Sequence, residues 1–341
     1  MSKRKNKIMI VICLIIVLLC LLLVVFVPKL FQPEGSPIYQ VSGAIAHESL
    51  LQFSDQDDFQ EQFAATESQL TQIYNQLSYS IPDSEIAKIN DYAGLQAVPV
   101  SDDTIAVLKQ ATSFAQDSQG RFDPTVGKVM DIWGLTSNAP ILPTEQEQFQ
   151  ALQTVGYSQI LIDENARTVK LQKLGGKIVL DNILPGYIAD RCIELNEMSG
   201  VTSSGCVFEQ AAAVSGLGSK GEPYRISIFE EPNADELGTL TLEEGGCYTL
   251  FPEEYAFQTH GEKYYSIINP LDGQPMQDTQ IQSITVCAPS AAQAECLAVD
   301  LTLRGKDEAI QAMDTYPLIL QDVDGKLYVS DSLKDQFVLS K

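Results

Sequence analysis

The stretch RFDPTVGKVMDIWGL, Arg121 to Leu135, gathers residue types that could do chemistry. It holds the Asp-Pro turn Asp123–Pro124, a following glycine, and the only tryptophan, Trp133. Asp123 reads in two ways. A carboxylate held in a turn can serve a bound ligand, or it can accept backbone N–H bonds and fix the turn itself. Trp133 can stack on a flat ligand or fill a core. Histidine chemistry has almost no material, because His47 and His260 are the only two histidines. A His-based zinc site or a catalytic triad needs more. Of seven cysteines, Cys13 and Cys20 lie in an apolar N-terminal run. Cys192, Cys206, Cys247, Cys287 and Cys296 follow with no C-x-x-C or Cys/His metal spacing. Their odd number speaks against a complete disulfide framework, leaves one pair open, and suits small core residues. GLGSKG, Gly216 to Gly221, fits G-x-G-x-x-G, but a dinucleotide site needs a helix after it. The strand-like EPYRISIF follows instead, so this is a hairpin loop.

The charge balance narrows the partners. Lys+Arg is 22 against Asp+Glu 45, a net charge of -23. Lys3, Arg4, Lys5, Lys7 and Lys29 are the basic residues of the first 30, leaving 17 against 45 beyond them. Such an acidic remainder repels nucleic acid and anionic headgroups. Scattered acids of this kind serve solubility. Ile8 to Val27 runs twenty residues without a charge, long enough to span a bilayer as a helix. The basic cluster before it predicts a cytoplasmic N-terminus and an extracytoplasmic domain, hence a single-pass cell-membrane protein. A cleaved signal peptide fits less well, because Pro28 and Lys29 follow where a small-residue cleavage site belongs. A lipoprotein reading of Cys20 meets the bulky Leu19 before it. The expected order is a cytoplasmic tail 1–7, an anchor 8–27, a linker 28–39 and one domain over 40–341.

The elements that must position any site follow from periodicity. Asp55 to Leu77 places Phe59, Phe63, Leu70, Ile73 and Leu77 at helical spacing. Ser84 and Glu85 start a short helix. Asp102 to Gln116 is a helix with Ser101 as N-cap. Ile160 to Leu171 reads as a hairpin, and Pro185 to Met198 as a helix with proline in its first turn. Strand-like runs cover 205–214, 224–229, 238–242, 264–268 and 283–288. A helix spans 291–304, a shorter one follows from Asp307, and a hairpin turns at Asp324–Gly325. Helices and antiparallel hairpins interleave without βαβ alternation, which predicts an α+β domain.

Six segments in order resemble the FAD:protein FMN transferases, the bacterial flavinyltransferases called ApbE. They are LSYSIPDSEIAKIN (77–90), GRFDPTVGKVMDIWGL (120–135), PGYIADR (185–191), PYRISIFEEP (223–232), KYYSIINPLDGQP (263–275) and ITVCAPSAAQAECLAVDLTLRG (284–305). The second is similar to the family's G-x-F-D-P-T-V-G pattern ending in W-G. The resemblance spans roughly residues 40–330. It implies an ApbE-like domain of antiparallel sheets with packed helices, here preceded by one transmembrane helix. It implies binding of FAD and Mg2+, and transfer of FMN to a protein threonine with release of AMP. Such chemistry at a pyrophosphate needs charge neutralisation and hard oxygen ligands for a metal. By resemblance, Tyr79, Phe122 and Asp123 lie at the FAD site.

The chain departs from the family where that chemistry sits. The family's D-L-G-G-I-A-K-G-Y falls on VLDNILPGY, so Val179 replaces the aspartate, Asp181–Asn182 the glycine pair and Pro185 the lysine. A second glycine pair becomes Glu209–Gln210. Ser266 and Asn269 replace a histidine and an aspartate. In the metal segment Glu295 replaces an aspartate and Val299 a threonine. Asp300 is one position on, which turns it about 100° around a helix. A carboxylate beside a pyrophosphate repels it. The expectation is a family member without catalysis, acting as a binding or assembly module, with a partner in a flavin-dependent electron-transfer system. The alternatives are an active transferase with an atypical site, or a cation-binding pocket built from Asp181, Glu209, Asp272 and Glu295. VSGAIA, the nearest match to the family's S-G-A-T target motif, lacks the threonine, so the chain is not its own flavin acceptor.

Overall fold

The computed structural model describes residues 38–46, 48–54, 60–137, 139–218, 221–232 and 235–340. The tail 1–7 and the anchor 8–27 lie outside the described residues, as does Phe59. No helix among the described residues is long and apolar enough to cross a membrane.

An eight-stranded sheet forms the centre, in the order β1 (Ile38–Ile45), β2 (Glu48–Ser54), β6 (Ser204–Phe208), β7 (Ala211–Ser215), β10 (Glu244–Leu250), β14 (Ile281–Ala288), β15 (Leu318–Asp322) and β16 (Leu327–Val329). Every neighbouring pair is antiparallel. Three small sheets surround it. They are β3 (Val98–Pro99), β5 (Thr168–Leu171) and β4 (Ile160–Asp163); β17 (Phe337–Leu339), β9 (Glu236–Leu242) and β8 (Tyr224–Phe229); and β11 (Ala256–Thr259), β12 (Glu262–Asn269) and β13 (Gln274–Met276). This is the expected α+β domain of antiparallel sheets. β1 starts at Ile38, two residues inside the segment read as linker.

Alternation along the central strands builds two cores. Phe208, Ala211, Ala213, Tyr248, Leu250, Ile284 and Val286 face the helices. Ala212, Val214, Cys247, Cys287 and Ile319 face the sheet of β8, β9 and β17 and meet Ile226, Leu240 and Phe337.

The helices are α1 (Gln60–Leu77), α2 (Glu85–Asp91), α3 (Asp102–Asp117), α4 (Gly127–Ile132), α5 (Glu145–Leu152), α6 (Leu184–Met198), α7 (Ala291–Arg304) and α8 (Lys306–Gln311). Two of them, α2 and α3, start on side-chain caps that the sequence predicts. Ser84 accepts from Ala87 N–H, and Ser101 from Thr104 N–H. Pro185 sits in the first turn of α6, where its missing N–H costs nothing. The start of α7 is held from another helix. The Asp190 carboxylate accepts the N–H groups of Ala291 and Ala292 at 2.7 and 2.9 Å. Gly186 lets α6 and α7 touch, since a Cβ there would lie 2.5 Å from the Ala291 backbone. This tight crossing places Glu295 beside the first turn of α6.

Candidate functional site

Glu295 stands at the centre of the region where the resemblance puts metal and phosphate. It is fully buried on α7. Its Oε2 accepts the Gly186 N–H at 2.8 Å, while Oε1 has no hydrogen-bond partner among the described residues. Burial pushes its carboxyl well above the usual range, and the nearby Glu209, Asp181 and Asp190 push the same way. Taking a carboxylate out of water disfavours its charged form.

Asp181 lies on the turn before α6. Its side chain is exposed at the surface, yet the protein packed around it pushes the carboxyl up to about 6 by desolvation. Glu209 occupies the two-residue turn between β6 and β7 with φ at +51°. The family's glycine pair falls on this turn, and glycine adopts such a backbone at little cost. Glu209 is pushed up to about 7 by desolvation, then by Glu48, Asp181 and Glu254. No lysine or arginine among the described residues is among the charges that shift these three carboxyls.

Tyrosines complete the surroundings. The Tyr248 and Tyr255 hydroxyls are 3.3 Å apart, and both phenols are pushed up by burial and by Glu295 and Glu209. Tyr79, half-buried after α1, is raised to about 12 by desolvation, then by Asp181, Asp131 and Tyr74. Asp181, Glu209 and Glu295 therefore converge. Asp272 does not join them. It lies exposed in the turn between β12 and β13, where it accepts from Asn269 Nδ2 at 3.0 Å and from Gln274 N–H at 2.9 Å.

Among the other expected site residues, Phe122 is buried in the helix-side core. Asp123 fixes its own turn. Its Oδ1 accepts from Thr125 N–H and Oγ1 at 2.8 and 2.6 Å, and its Oδ2 from Tyr157 N–H at 2.7 Å. Trp133 is 1% exposed and packs on Tyr264 with ring centroids 5.4 Å apart. Ser266 is half-buried on β12, and Asn269 is spent on its turn, where Oδ1 accepts from Leu271 N–H. Pro185 and Val299 are buried apolar residues. Asp300 is turned away, as the helix geometry predicts, and pairs with Arg121 and Arg304.

This donor set does not fit a magnesium–pyrophosphate group. Hard cations want ionised or neutral oxygen ligands in an open shell. Here burial disfavours the ionised form of Glu295, Val299 offers no oxygen, and Pro185 supplies no charge for a phosphate. No group of three or more His, Cys, Asp or Glu among the described residues is placed to hold a metal ion.

Glu48, Glu254, Tyr74, Tyr248 and Tyr255 escape a reading of the sequence. Register brings in Glu48: Leu50 pairs with Phe208, which sets it beside the Glu209–Gln210 turn. Gln210 Nε2 then donates to Glu254 Oε2 at 3.0 Å. No local pattern signals a contact made by strand pairing.

Known proteins bear on the fold. The ApbE family model matches residues 42–320. An FAD:protein FMN transferase of Vibrio cholerae is 27% identical over 275 residues, 78% of this chain and 81% of its own length. One from Treponema pallidum is 24% identical, over 75% and 76%. The solved structure of an ApbE protein from Thermotoga maritima superposes with a TM-score of 0.78 at 24% identity, covering 88% of this chain and 99% of that one. The apo flavinyl transferase ApbE of Pseudomonas stutzeri gives 0.77 at 19%, over 91% and 99%. With its fold, its motif order and 42–320 all in agreement, this chain belongs to the ApbE family.

Proposed function

We propose that this chain is a membrane-anchored, extracytoplasmic ApbE protein that has lost flavinyl transfer and serves as a binding or assembly module. The observation that carries the reading is Glu295: a buried carboxyl pushed well above its usual range, with one oxygen lacking a hydrogen-bond partner among the described residues and with Asp181 and Glu209 nearby. The family reaction moves FMN from FAD to a protein threonine and uses Mg2+. The devices that would neutralise its phosphates are replaced by Pro185, Glu209 and Val299. Like charges near a pyrophosphate oppose its binding. Anchoring is supported by the uncharged run 8–27 behind a basic cluster. A partner in a flavin-dependent electron-transfer system follows from the family reaction alone.

Calorimetry on the full chain in detergent, with FAD and Mg2+, tests this directly. The expected outcome is no binding heat, and no AMP on adding a threonine-bearing acceptor. FAD binding with AMP release would establish the active transferase instead.

A further inference from the structure

We propose that Cys247 and Cys287 are a disulfide-forming pair that bridges β10 and β14. The two residues are direct partners in the antiparallel register, and both face the core between the central sheet and the sheet of β8, β9 and β17. Their rung is one without hydrogen bonds between the two residues. The Cys287 N–H points away, to Pro317 O on the β15 side. Thr249, two residues along from Cys247, likewise sends its N–H to Gln210 O on the β7 side. On such rungs the Cα atoms approach to about 4.5 Å and the side chains come closest. That lies within the span of about 4.4–6.8 Å that a disulfide tolerates. The next rung of the same kind and face is Thr249–Thr285, where the side-chain oxygens are 2.9 Å apart. Sulfurs on the adjacent rung have the same opportunity.

Oxidation proceeds by exchange with a low-molecular-weight disulfide. One cysteine thiolate attacks the oxidant, breaks its S–S bond and leaves a mixed disulfide plus one small thiol. The second cysteine displaces the other small thiol and closes the protein S–S bond. Two electrons pass from the cysteines to the oxidant, and the two cysteine protons end on the two small thiols. Cys247 lines a cavity of about 590 Å3 with Thr249, Ala212, Ile226, Ile228 and Phe251, so a small disulfide can approach. Burial pushes both thiols up, Cys247 to about 12, which makes exchange on the folded chain slow. The bond therefore belongs to oxidative folding, while β10 and β14 pair and before the second sheet covers them.

Cys192 and Cys206 also touch, but the Cys192 thiol donates to Gln52 Oε1 and accepts from Asn196 Nδ2. They stay reduced. The test is peptide mapping of the full chain, refolded in a glutathione redox buffer and alkylated under denaturing conditions. The expected result is five alkylated cysteines of the seven before reduction, seven after it, and one linked peptide joining Cys247 to Cys287. Reduction is expected to lower the melting temperature by about 5–10 °C, and Cys287→Ser to abolish both the link and that shift. Seven alkylated cysteines before reduction, or a Cys192–Cys206 link instead, overturns the proposal. The refolding assay is independent of cellular location. A chain that links in the redox buffer but is recovered reduced from cells supports the pair and counts against the extracytoplasmic reading.

Discussion

Glu209 carries two costs at once. Its backbone lies in the left-handed region, which costs a non-glycine residue about 1 kcal/mol or more. Its carboxyl sits among Glu48, Asp181 and Glu254, and is pushed from 4.5 to about 7. A carboxyl raised on folding binds a proton that the unfolded chain has already released. Stability therefore falls as pH rises from about 4.5 through about 7, and the loss is complete above that. Asp181, raised from 3.8 to about 6, and the buried Glu295 act in the same direction. Carboxylates held low, such as Asp322 and Glu253, titrate below this window and leave it open. The melting temperature is thus expected to be higher at pH 5 than at pH 8. Glu209→Gln is expected to flatten the drop by on the order of 2 kcal/mol, allowing for its partial exposure. Glu209→Gly is expected to flatten it equally and to raise stability at both pH values by about 1 kcal/mol more. Thermal melts of the three proteins at both pH values check this, and a melting temperature that rises with pH would contradict it.

At the scale of elements, the crossing of α6 and α7 is what fixes Glu295. Gly186→Ala would press a Cβ into the Ala291 backbone, which can yield only by parting the helices. Overpacking of this kind costs about 1–3 kcal/mol or more. The loss is readable through Trp133, whose burial gives a blue-shifted fluorescence that unfolding reverses. A urea midpoint unchanged in Gly186→Ala would show that the helices meet less closely. Elements with strong local signals are legible in the sequence. Periodicity and Ser101 give α3, the proline gives α6, and the alternation of 160–171 gives β4 and β5. Gly216 to Gly221 precedes β8 and no helix, so it is no dinucleotide site, but β7 and β8 lie in different sheets, which corrects the expected hairpin. The run 205–214 reads as one strand but is two, because only a left-handed Glu209 turns it, and glutamate does not advertise such a turn. The hairpin of β1 and β2 escapes the sequence, its apolar alternation being short and close to the apparent linker. Asp123 is legible as a turn residue. The acidic convergence at Glu295 is legible in part, and Asp272 does not belong to it, because sequence carries no distance.

The whole molecule poses the question of whether scaffold and activity have separated. The family fold is retained over residues 42–320, and the FDPTVG turn holds its hydrogen bonds. The altered devices belong to a few positions on four elements: the start of α6, the β6–β7 turn, α7 and β12. If the loss is local, it is reversible. Pro185→Lys adds a cation at the first turn of α6, and Glu209→Gly removes a like charge and a strained backbone. Glu295→Asp with Val299→Thr replaces a long carboxyl and an apolar side chain by two shorter oxygen donors one helical turn apart. Each charge-assisted contact to a phosphate is worth about 1.5–3 kcal/mol, roughly tenfold or more in affinity. If transfer has been lost as proposed, the four changes together are expected to give FAD binding in the presence of Mg2+ tighter than that of the natural chain, measured by calorimetry, with circular dichroism checking the fold. Binding should fall on chelating the metal, since the two oxygen donors introduced on α7 would hold it as hard ligands. A folded quadruple variant that still ignores FAD would mean the change extends beyond the phosphate and metal walls. Ser266 and Asn269, which replace the family's histidine and aspartate on β12, would be the next positions to restore.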